Sequence, residues 1–189
     1  ERGGEVADQL RSIGVQPVEL LRVSQSTRKT TEFLALCLKY LNKPSRRALA
    51  DTFAVYYRIN QADTEQLGPR TEALSRTIMK FDPLELYASP TPSQDWKIQP
   101  ATLSLGDDFI KDLQEFQIKI ERWMAALLLP IDQLILTISQ DAFREPADLA
   151  LAHKVAGMLE RASRTNPQWN LEDFAAELES VAKNQSKIS

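Results

Sequence analysis

Glycine, cysteine, histidine and long apolar runs are all scarce in this chain, and each shortage closes off a class of function. The six glycines stand at 3, 4, 14, 68, 106 and 157, and none precedes a lysine. No G-x-x-x-x-G-K-[ST] loop therefore occurs, so ATP cannot be held here by a phosphate cradle of that kind. The single cysteine, Cys37, allows no disulfide within the chain, which fits a reducing cytosol and leads to the expectation of a cytoplasmic protein. Flanked by Leu36, Leu38 and Leu41, Cys37 reads as a packing residue rather than a nucleophile. The single histidine, His153, has no second histidine or cysteine to complete a zinc site, so no metal ligand is assigned. No G-x-S-x-G elbow occurs, and no catalytic residue is expected. The longest apolar stretch, around Met124–Ile131, is far short of the roughly 18 to 20 residues that span a bilayer and is broken by Pro130. Neither a membrane span nor a signal peptide is expected. The chain opens at Glu1 on residues that read like the middle of a domain, so a piece of a longer protein is expected.

What is present points to helices. At 189 residues and 43% hydrophobic the chain can bury one or two small cores. Residues 4–13 place Val6, Leu10 and Ile13 at helical spacing before Gly14. Val15–Leu21, interrupted by Pro17, has the composition of a short edge strand. From Ser24 onward the pattern is helical, with Ser24–Thr27 as a cap and Phe33, Leu34, Leu38 and Leu41 as one stripe to about Asn42. Pro44 breaks the chain, Ser45 caps the next helix, and Leu49, Phe53, Tyr56 and Tyr57 continue at steps of three and four. A further helix is expected over 70–81. A long loop follows at about 82–107, holding four of the ten prolines, with Trp96, Ile98 and Tyr87 expected to lie back on a helical surface.

The last third is the most regular. Phe109, Ile110, Leu113, Phe116, Ile120, Trp123, Met124 and Leu127 give a strongly amphipathic helix over 107–129, with Asp107 and Asp108 at its positive end. Helices over 131–143, from Pro146 to about Asn166, and from Asn170 onward follow with short joints. Asn170 with Asp173 makes a capping arrangement. The fold class expected is mainly α, an orthogonal multi-helix bundle carrying a short N-terminal helix-strand remnant of an α/β domain.

The net charge of −3 hides an uneven spread. Residues 1–60 hold 10 Lys/Arg against 6 Asp/Glu, whereas 61–150 hold 8 against 15. Phosphate contact is therefore expected from the first third. The best candidates are Arg28 and Lys29 together with Arg46, Arg47, Tyr57 and Arg58: arginine can hold backbone phosphates and tyrosine can stack on a base.

The stretch Leu129–Gln185, LPIDQLILTISQDAFREPADLALAHKVAGMLERASRTNPQWNLEDFAAELESVAKNQ, resembles the segment that precedes the last motor motifs in cyanobacterial members of the UvrD/Rep/PcrA group of superfamily 1 DNA helicases. The opening, RGGEVADQLRSIGVQPVELL, is similar to the helix-then-strand after motif IV in that family, through Val6, Ala7, Leu10, Gly14 and Val15. STRKTTEFLALCLKYLNKP looks like the family helix that leaves the second RecA-like motor domain. That helix often carries F-F-x-R-x-E-x-x-D; Arg28 matches its arginine, while Thr30 and Phe33 stand in place of the acids. The resemblance implies that residues 1–23 are a remnant of the second motor domain and 24–189 the accessory helical subdomain called 2B. It also implies a parent that uses ATP and Mg to translocate 3′ to 5′ on DNA and unwind duplex. The remaining motor domains, DNA and repair or replication proteins would be its partners; this stretch alone would hold no cofactor. The alternative is a helical protein–protein interaction domain without a DNA role, using an exposed apolar groove.

Overall fold

The computed structural model describes residues 17–61, 65–89 and 95–185, with side chains from 27 to 183 within those ranges. Eight α-helices are described: α1 (Pro17–Asn42), α2 (Arg46–Asn60), α3 (Leu67–Ile78), the single turn α4 (Glu85–Ala88), α5 (Asp107–Ala125), α6 (Ile131–Ala142), α7 (Pro146–Thr165) and α8 (Leu171–Gln185). The mainly α class expected from the sequence is what the chain adopts, and no strand occurs among the described residues.

The start of the chain departs from expectation. The helix anticipated over 4–13 lies outside the described residues. The strand anticipated over Val15–Leu21 is corrected from Pro17 onward, where α1 has already begun. Proline is accepted in the first turn of a helix, where its missing N–H would be unpaired in any case, as well as on an edge strand, so Pro17 is compatible with the helical segment. Ser24–Thr27 consequently lie inside α1 rather than capping it.

α1 is the axis of the bundle. It packs against α2, α6, α7 and α8. Between residues 30 and 41 it is buried on nearly every side: Thr30, Thr31, Ala35, Cys37 and Tyr40 join the expected Phe33, Leu34, Leu38 and Leu41. On a helix buried nearly all round, a polar side chain does best to bond within the helix itself. Thr31 does so by donating its hydroxyl within the helix, 2.8 Å from the Thr27 carbonyl and 3.1 Å from that of Arg28. Phe33 is the centre of an aromatic cluster. Its ring meets Trp123 edge-on at 6.1 Å, Phe143 edge-on at 5.7 Å and Tyr56 at 6.5 Å.

Helix ends follow their local chemistry. Ser45 accepts from the Ala48 amide at the start of α2. Pro146 opens α7, Asp107 and Asp108 occupy the first turn of α5, and Asn170 and Asp173 cap α8 reciprocally, with Asn170 Oδ1 accepting from the Glu172 amide and Asp173 Oδ2 from the Asn170 amide.

The segment expected as a long loop is more ordered than its prolines suggest. Trp96, Gln99 and Thr102 face inward at a three-residue period, joined by successive bonds from Gln99 N to Trp96 O, Thr102 N to Gln99 O and Leu105 N to Thr102 O. Three-residue repetition is the signature of tight 3-10 turns rather than of an α-helix. Trp96 packs edge-on to Phe81 and Tyr87, which stack on each other at 4.5 Å, and Tyr87 donates its hydroxyl to the Leu113 carbonyl. Trp96 and Tyr87 thus lie back on the helices as expected. Ile98 does not: it is 71% exposed, because a residue two positions after Trp96 in a three-residue period points outward.

Trp123 is wholly enclosed, and its indole Nε1 donates to Asp141 at 2.9 Å. Trp123→Ala is expected to cost about 3–5 kcal/mol, read as a lower urea midpoint at unchanged slope. A loss below about 1 kcal/mol would contradict the central place given to this ring.

Candidate nucleic-acid interface

The six candidate residues are carried by the α1–α2 hairpin, whose register is fixed by two contacts. Thr52 on α2 donates to the Leu36 carbonyl on α1, and Tyr56 meets Phe33. The two helices are therefore antiparallel, with Arg58 level with about Thr30 and Arg46 and Arg47 beside the end of α1. At 1.5 Å per residue, Arg46 and Arg58 lie roughly 18 Å apart along the helix axis. The six residues do not converge on one point.

Most of the cations already have acidic neighbours. Arg28 donates to Glu32 at 2.7 Å, Arg46 to Asp82 at 2.6 Å and Arg47 to Asp51 at 2.9 Å. All three arginines are exposed, as are Lys29 and Arg58. Exposed pairs of this kind contribute little to stability, so the arginines remain able to exchange a carboxylate for a phosphate. Arg47 and Arg58 are eleven residues apart, close to three helical turns, and so share one outward stripe of α2 about 16 Å long.

Tyr57 takes no part in that surface. It is 5% exposed, and its ring stacks on Phe53 at 5.3 Å. Its hydroxyl donates to Asp112 Oδ2 at 2.7 Å and accepts from Arg70 Nε at 2.8 Å. Arg70 in turn donates from Nε and Nη2 to the same carboxylate oxygen, at 3.0 and 2.7 Å, and its guanidinium lies 4.4 Å over the Phe109 ring. The role expected of Tyr57, stacking on a base, is closed by this packing. The residue instead ties α2 to α3 and α5. Nothing in the spacing of the sequence signals the cluster, because its members stand on three helices and meet only in the folded chain.

A second carboxylate has the same character. The Asp141 side chain, 5% exposed, accepts from the Trp123 indole and from Arg122 at 2.9 Å, with Lys119 at 3.8 Å. Three further cations are thereby bound up in structural contacts: Arg70, Lys119 and Arg122. His153 is exposed on α7, and no group of three metal-ligating side chains occurs among the described residues. Among the described residues no helix is long and apolar enough to cross a membrane. No protein-family model, curated protein or solved structure matches the chain.

All four tyrosines hold their protons beyond the usual phenol range. Burial pushes Tyr40 up to about 12, with Glu85 adding to it, and pushes Tyr56 to about 12, with Glu115 and Asp141 adding and Arg144 opposing. Tyr57 is raised by burial and then by Asp112, against Arg70, and Tyr87 is raised well above 10 by burial and the neighbouring Tyr40. A phenol whose pKa is higher in the folded state contributes its stability fully below the unfolded value near 10, and that stability is lost as pH rises through the folded value. Stability is therefore expected to fall between about pH 10 and 12. In an absorbance titration at 295 nm the phenols should ionise late and together with loss of helical circular dichroism; one titrating near 10 while the helices persist would contradict the packing of at least one ring.

Removing Arg70 leaves Asp112 with the Tyr57 hydroxyl as its remaining hydrogen-bond partner in the cluster. Arg70→Ala is expected to cost about 1–3 kcal/mol in urea unfolding, discounted for the partial exposure of the pair. Arg47→Ala, which breaks an exposed pair, should change stability by less than about 0.5 kcal/mol.

Proposed function

We propose that this chain is the accessory helical region of an ATP-dependent DNA helicase of the UvrD/Rep/PcrA type. The observation that supports it best is the pairing of the first and last described helices. Lys39 on α1 meets Glu179 on α8, while Arg28 and Glu32, nearer the start of α1, share a groove with Ala182 and Lys183, nearer the end of α8. The two helices run antiparallel, so the last turns of α8 lie along the first half of the described α1 side chains. An inserted unit is best served when its first and last helices pack on each other, because both of its connections must reach the same body. The likeness of Leu129–Gln185 and of the opening residues to that helicase group points the same way.

In this reading the region carries no step of the chemistry. ATP and Mg are bound by the motor domains of the parent, a cytoplasmic enzyme of DNA repair or replication, and the helical unit touches DNA and adjusts unwinding as it changes position. The DNA contact falls on the exposed stripe of α2, through Arg47 and Arg58, with Arg46 at its start and Arg28 and Lys29 on the neighbouring helix. A second reading, a protein–protein interaction domain without a DNA role, draws on the outward-facing Ile98, Leu103 and Leu128, the last of these 96% exposed.

Two measurements separate these readings. The coding sequence on either side is expected to hold a G-x-x-x-x-G-K-[ST] loop upstream and a glycine-containing motor motif shortly after Ser189; motor motifs missing from both flanks would end the helicase assignment. Fluorescence anisotropy with forked DNA should show binding that weakens with salt. Arg47→Glu combined with Arg58→Glu should lower the affinity about tenfold or more at low salt and flatten the salt dependence by roughly two units of slope. An unchanged affinity in the double variant would remove the α2 stripe from the interface.

A further inference from the structure

We draw no further inference here: the strongest candidate, the shallow groove lined by Pro69, Arg70 and Ala73 of α3 and Phe109 of α5, is an open, partly apolar face, and nothing in the structure shows what covers it.

Discussion

The enclosure of Phe33 on α1 is the contact on which the rest of the bundle depends. Its ring is met by Tyr56 from α2, Trp123 from α5 and Phe143 from the joint between α6 and α7, so three other parts of the chain converge on one side chain of α1. The edge-on approach of Trp123 and Phe143 sets ring edges against ring faces, an attraction that adds to the area buried and specifies orientation. With α8 packed along α1 as well, a shift of any of these helices disturbs the same central helix. Dense packing of that kind resists gradual deformation, so the helices around α1 are expected to move as one body rather than slide past one another.

Two largely buried carboxylates set the orientation that aromatic packing leaves free. Asp141 joins α6 to α5 through the Trp123 indole and Arg122, and Asp112 joins α5 to α2 and α3 through Tyr57 and Arg70. Pairs like these add little net stability, because the ions must be desolvated to form them, yet losing one partner leaves a charge stranded. Their effect is to penalise other arrangements of the same helices. They also commit Arg70, Lys119 and Arg122, three of the 23 Lys and Arg, to holding α5 in place.

Past α1, helix ends were legible where a local signal marked them, whereas the Ser24–Thr27 cap signal misled. Ser45, Pro146, Asn166 and Asn170 lie where caps and breaks demand, since capping depends on residues three or four apart and needs no tertiary knowledge. The start of α1 was not legible, because Pro17 suits both an edge strand and a first helical turn and only the partners of the segment distinguish them. The all-round burial of α1 was hidden as well, since its threonines read as polar until Thr31 is seen bonded within its own helix. In the segment before α5 a three-residue period was present in Trp96, Gln99 and Thr102, but polar residues on the inner face masked it. The candidate site divides in the same way. Arg47 and Arg58 follow from helical spacing, whereas the burial of Tyr57 depends on Arg70 and Asp112, which lie 13 and 55 residues from it in the chain.

The pairing of the surface arginines bears directly on how the proposed DNA contact would behave. Arg47 rests against Asp51 and Arg46 against Asp82, both in contact with water. Binding a phosphate there exchanges one exposed acidic partner for another, so the gain comes mainly from counterions released by the DNA and shrinks as salt rises. No aromatic platform reinforces it, because the rings of this hairpin are turned into the core. Such a contact is weak and reversible. In the proposed reading that suits an accessory unit: a motor that advances along a strand cannot be held by a part that binds tightly, and a loosely bound helical face can change position while the grip on DNA is kept by the motor domains.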